Sequence, residues 1–114
     1  ELTRRMYGTS IQLIGDLRET ANPSDRGLYT FFLGEAHRRR NKDDDLAQAA
    51  KLYAEATTQP GAPPEAWREH GMALRAAQQP AAAIAAFQRY LTDLPKAEDR
   101  AFIKSYIDAL ESTP

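Results

Sequence analysis

The sequence predicts an all-α protein of about six helices, arranged as a repeating array of helical hairpins. Three observations carry this. Alanine is abundant and valine is absent, which favours helix over sheet. The run Trp67-x2-His70-Gly71-x2-Leu74, then Ala83-x3-Phe87-x2-Tyr90-x4-Pro95, has the spacing of two packed antiparallel helices. Its second half recurs 34 residues earlier as Ala49-x3-Tyr53-x2-Ala56. Within the run, Gly71 admits a neighbouring helix and Ala83 keeps the hairpin tight. Trp67, Leu74 and Phe87 are expected to fill the space between helices, and Pro95 ends the unit. On this reading Trp67→Ala leaves a large void and costs about 3–5 kcal/mol.

The elements follow in order. A first helix is expected over residues 3–20, with Met6, Ile11, Leu13, Ile14 and Leu17 as its apolar set. Asn22-Pro23-Ser24-Asp25 breaks it and offers capping side chains to a second helix over 25–40. There Leu28, Tyr29, Phe32, Leu33 and Ala36 are read as inward. The turn at 42–45 carries Asp43, Asp44 and Asp45, which suit the positive end of the next helix on a solvated turn. That third helix covers 45–58. Residues 59–64, with three prolines and a glycine, form a firm break, and Pro64 suits a first helical turn. The fourth helix is expected over 64–78 and the fifth over 80–93, started by Pro80. The sixth covers 98–111, where Phe102, Ile103, Tyr106, Ile107 and Leu110 recur at steps of three and four as one apolar stripe.

The pattern W-x2-L-G-x2-Y, then A-x3-F, then P, is that of the tetratricopeptide repeat. The Trp67–Pro95 run resembles it, with His70 for Leu, Leu74 for Tyr, and Tyr90 where a small residue is common. The earlier unit supplies Leu33-Gly34, but 37 residues separate Gly34 from Gly71 instead of 34. Three extra residues therefore fall in the polar turn between Gly34 and Ala49, where an insertion is tolerated. The resemblance implies a right-handed superhelical solenoid occupying residues 1–114. Repeat 1 is expected at 24–60 and repeat 2 at 62–95. An N-terminal helix (1–22) and a C-terminal helix (96–114) would cap the apolar ends.

In the family, the first helix of each repeat lines a concave binding face. Carried over by position, that face comprises Leu28, Phe31, Glu35, Arg38 and Arg39, then Glu65, Arg68, Met72, Arg75 and Ala76. Its mix of Phe31 and Met72 with four arginines suits a protein or peptide partner with acidic groups. Some members clamp a C-terminal carboxylate with Lys and Asn; here those places hold Phe31 and Glu35, and Arg68 and Met72, which argues against that clamp. The stretches 33–39 and 90–103 also resemble the repeat region after the peptidase domain of some bacterial M48-type metallopeptidases. That implies a bacterial source and a non-catalytic appendage docking to or regulating a catalytic domain in one parent chain. A third reading is a self-assembling scaffold that associates through the N-terminal helix.

Catalytic chemistry finds no support. His37 and His70 occupy the family's packing positions Tyr and Leu, so both are expected to be partly buried, hydrogen-bonded side chains. No HExxH spacing, cysteine or calcium-loop pattern occurs, and no cofactor is expected. Arg38-Arg39-Arg40 and Lys42 lack interleaved aromatics and face three aspartates, and net charge is −1, so nucleic acid is not an expected partner. No apolar run reaches the length of a membrane span. The chain starts at Glu1 rather than Met and shows no secretory signal, as expected of a piece of a longer or processed protein. Cytoplasm and bacterial cell envelope both stay open as its compartment.

Overall fold

The computed structural model describes residues 2–112; Glu1, Thr113 and Pro114, which the expected terminal caps included, lie outside the described residues. Six α-helices account for the regular structure among them: α1 (Leu2–Thr20), α2 (Arg26–Arg40), α3 (Asp45–Ala56), α4 (Glu65–Ala76), α5 (Pro80–Asp93) and α6 (Arg100–Glu111). One 3-10 turn, Pro23–Asp25, precedes α2, and Asn22 caps it by accepting from the Ser24 amide at 3.1 Å. All six expected helices are present. Two of them, α3 and α4, end two residues earlier than expected. After α3 the hydroxyls of Thr57 and Thr58 turn back onto the Ala54 and Glu55 carbonyls, both at 2.7 Å. After α4, Gln78 adopts a left-handed conformation (φ 60°), and the Gln79 amide donates to the Leu74 carbonyl at 3.0 Å. This is a Schellman stop, built on glutamine where glycine is commoner.

The chain divides into two compact units, one up to Pro63 and one from Pro64. In the first, α2 and α3 form an antiparallel hairpin. His37 meets Asp45 near the turn, Gly34 meets Tyr53 midway, and Gly27 meets Pro60 at the far end. The Gly27 amide donates to the Pro60 carbonyl at 2.8 Å, and a Cβ on Gly27 would sit 2.7 Å from that oxygen. The core is Phe31, Leu33, Ala36, Ala49, Leu52, Tyr53 and Ala56. Helix α1 lies antiparallel to α2, with Glu19 near Arg26 and Gly8 near Arg40. It buries no residue completely.

Three aromatic and apolar assignments change. Phe32, read as inward, is 43% exposed, while Phe31, read as facing a guest, is 7% exposed. Phe31 lies on the same side of α2 as Gly27, Thr30 and Gly34, and its ring packs on Tyr53 at 5.9 Å. In α1 the expected apolar set splits between two faces. Ile11 and Ile14 are half-buried, whereas Met6 and Leu13 point outward, 63% and 58% exposed. In α6, Ile103 and Ile107 are buried, but Phe102 lies a quarter-turn away and is exposed.

The second unit repeats the hairpin. Gly71 of α4 faces Phe87 of α5, and Arg68 lies over Tyr90. Ala83, Phe87, Tyr90, Ile103 and Ile107 form its core, with Trp67, Met72 and Leu74 partly buried against it. Helix α6 closes this core: the Tyr106 ring stacks near Phe87 at 6.0 Å, and the Tyr90 hydroxyl donates to Asp99 at 2.7 Å.

The two glycine contacts differ in tightness. A Cβ at Gly71 would lie 2.7 Å from the enclosed Phe87 ring, against 3.0 Å from Tyr53 at Gly34. Overpacking of this kind costs about 1–3 kcal/mol. Alanine returns about 1 kcal/mol of helix propensity. Gly71→Ala is therefore expected to destabilise and Gly34→Ala to be nearly neutral, as measured by urea unfolding. The reverse ranking would show that the Phe87 ring moves freely.

Candidate functional site

On α2, three of the face residues expected from the sequence belong to one network. The Tyr53 hydroxyl donates to Glu35 Oε1 at 2.6 Å, and Arg38 Nε donates to the Tyr53 hydroxyl at 3.0 Å. Arg38 Nη2 also reaches Glu35 Oε2 at 3.0 Å, with Arg39 Nη2 3.7 Å from the same oxygen. Burial pushes the Glu35 carboxyl up, but the hydrogen bonds from Tyr53 and Arg38 outweigh it and leave the group below the usual glutamate range. Burial and the Glu35 bond together push the Tyr53 phenol well up. The network is thus Tyr–OH, carboxylate and guanidinium at neutral pH. Arg38 and Arg39 remain open to solvent along one side, Leu28 is half-buried, and Phe31 is removed from the surface.

On α4 the expected residues separate. Glu65 and Arg68 line a cleft of about 480 Å³ together with Tyr90, Lys96, Glu98 and Asp99. Arg68 Nε donates to Glu69 at 2.7 Å and its Nη1 to Asp99 at 3.2 Å, with the guanidinium 5.6 Å from the Tyr90 ring. Burial works against the Arg68 charge, but the Glu69 carboxylate more than offsets it and holds the guanidinium firmly protonated. Burial, followed by the bond to Asp99, raises the Tyr90 phenol. Met72 packs against the core instead of entering the cleft. Arg75 is exposed and lies over the Tyr106 ring at 4.4 Å.

The turn between α2 and α3 carries a third cluster, which departs from the expectation of a solvated aspartate run. Asp45 is 1% exposed. Its carboxylate accepts from Arg40 Nε and Nη2 at 2.7 and 2.8 Å, from the Lys42 amide at 2.9 Å, and contacts His37 Nδ1 at 2.8 Å. The Arg40 bonds, aided by His37 and the amide, hold Asp45 far below the usual aspartate range despite its burial. Left-handed backbone at Asn41 and Asp43 (φ 48° and 52°) bends the chain so that Arg40 and His37 fall across Asp45. Asn and Asp tolerate that conformation better than other residues with a Cβ. His37 is therefore the partly buried, hydrogen-bonded side chain expected, while His70 is half-buried beside Trp67, and burial lowers its pKa.

The tyrosine hydroxyls of these networks were not singled out from the sequence. A signal was there: Tyr53 stands where the other unit has Phe87, so its hydroxyl exceeds what packing needs. Among the described residues no group of three or more His, Cys, Asp or Glu side chains could hold a metal ion, and no helix is long and apolar enough to cross a membrane. The fold and these faces define the class only as an all-helical protein that contains two helical hairpins. Compared with protein-family models, curated proteins and solved structures, the chain matches none.

Proposed function

We propose that this chain is a protein-interaction module of tetratricopeptide type, with its hairpins as successive repeats of a right-handed solenoid flanked by α1 and α6. The observation that carries this reading is the repeated register. In each hairpin a glycine of the first helix faces the aromatic ring of the second, Gly34 with Tyr53 and Gly71 with Phe87. The surplus of three residues between the two glycines falls in the turn clamped by Asp45, outside the packed segments. Arg38 and Arg75 occupy equivalent positions in the two hairpins, and both are exposed. Exposed Arg39 in the first unit and exposed Arg75 in the second each offer charge-assisted hydrogen bonds to a carboxylate-bearing peptide. Glu35, Arg38, Arg68 and Asp99 already pair within the protein and are not themselves spare binding groups.

The test is fluorescence anisotropy with labelled Asp/Glu-rich peptides and an uncharged peptide of equal length. Micromolar binding of an acidic peptide, weakening as salt rises, and a loss of about tenfold or more in Arg39→Glu/Arg75→Glu is expected. Circular dichroism of that variant should be unchanged, since both side chains are exposed. Indifference of the protein to acidic and uncharged peptides alike would remove the reading.

A further inference from the structure

We infer that the outward face of α1 is a self-association seam on which a second copy of this chain docks antiparallel. The inward side of α1 is Tyr7, Ile11, Ile14 and Arg18, all half-buried. A second stripe, about 120° round the helix, carries Leu2, Met6, Leu13 and Leu17, which are 73%, 63%, 58% and 43% exposed. At about 100° per residue these four fall within an arc of about 60°. One helix thus presents two separate apolar stripes, and the outer one costs solubility unless something covers it.

Two features of the stripe select a second copy as its occupant. The first is its symmetry. Leu2 and Leu17 lie equally far from the midpoint between Thr9 and Ser10, and so do Met6 and Leu13. A two-fold axis through that midpoint sets Leu2 against Leu17 of the other copy and Met6 against Leu13, while the small residues at the centre let the helices approach. Self-complementary patches of this kind are what a two-fold interface requires. The second is charge. Arg5 and Asp16 border the stripe on the same side, near its opposite ends. In the antiparallel pairing Arg5 of each copy comes level with Asp16 of the other, within about one residue-pair of helical rise. A parallel pairing brings Arg5 to the level of Arg5 and loses this match. Four side chains per copy are a small seam beside the roughly 800 Å² per partner of standard interfaces. The association is therefore weak, in the range of tens to hundreds of micromolar.

Sedimentation velocity across a concentration series tests this. A shift from monomer to dimer with rising concentration is expected, together with a weakening of about tenfold or more in Leu13→Glu. Leu13 is exposed, so circular dichroism and thermal unfolding of the dilute variant should match the parent. Asp16→Arg should also weaken the dimer, and Arg5→Asp/Asp16→Arg should restore it, which general stickiness would not do. The chain has no cysteine, so orientation is read directly. Under mild oxidation a Leu2→Cys chain should crosslink to a Leu17→Cys chain and not to another Leu2→Cys chain. A monomer at millimolar concentration, a dimer indifferent to Leu13→Glu, or preferential crosslinking of Leu2→Cys to itself would each overturn the proposal. None of these readouts involves peptide binding, so the seam stands or falls separately from the arginine face.

Discussion

Replacing Phe87 with alanine is expected to destabilise the second unit by about 4 kcal/mol. The ring is fully buried, and it is enclosed from two sides: Gly71 of α4 lies against one edge and Tyr106 of α6 stacks near it. A void there is shared by three helices, none of which can close on it alone. Trp67→Ala, by contrast, removes a larger side chain that is only partly buried, with the Arg89 guanidinium 5.1 Å above its ring. Solvent already reaches part of that site, so its loss is expected to fall below that of Phe87→Ala. Urea unfolding followed by far-ultraviolet circular dichroism measures both. A larger loss for Trp67→Ala would mean that the tryptophan, and not the phenylalanine, is the keystone of this hairpin.

Removal of the Asp45 side chain is expected to cost about 3 kcal/mol, the lower end for breaking a buried ion pair. The low end applies because Arg40 is 28% exposed and can turn to water, whereas His37 and the Lys42 amide lose a buried partner. The effect has a pH signature. The folded pKa of Asp45 is depressed. Its contribution is then complete above the unfolded value, about 3.9, and is lost as pH falls through that value toward the folded one. Asp45→Asn keeps the shape and removes the charge. The stability gap between parent and Asp45→Asn should be constant near neutrality and shrink below about pH 4. A gap that ignores pH, or an Asp45→Ala loss under about 1 kcal/mol, would show that the clamp contributes nothing to stability.

The hairpins were legible because their code is local. Helical periodicity places Gly34 and Leu33, or Gly71 and Leu74, on known sides of one helix, and proline and polar runs mark the ends. A second copy of the same spacing then tells which helices pair. The length of the polar turn between α2 and α3 was also readable, from the surplus of three residues between the glycines. What failed was the choice between neighbours of the same chemistry. Phe31 has Leu28 three residues back and Phe32 has Leu28 and Ala36 four residues away, and only the placement of Tyr53 decides which ring is buried.

The same limit applies to charge. Asp43, Asp44 and Asp45 are identical in sequence, and the left-handed residues Asn41 and Asp43 select the third for burial by folding Arg40 and His37 over it. Arginines that look like available donors in sequence turn out to differ. Arg68 is pinned by Glu69 and Asp99, while Arg75 lies over the Tyr106 ring and is exposed. In α1, two apolar stripes are both written in the sequence, but which one faces α2 is settled only by packing. Periodicity along a single helix, with its breaks, is a property of the chain, so the sequence by itself determined the six helices and the glycine–aromatic register. Burial and pairing depend on atoms far apart in sequence, so only tertiary structure decided which aromatic, which aspartate and which apolar stripe meets water.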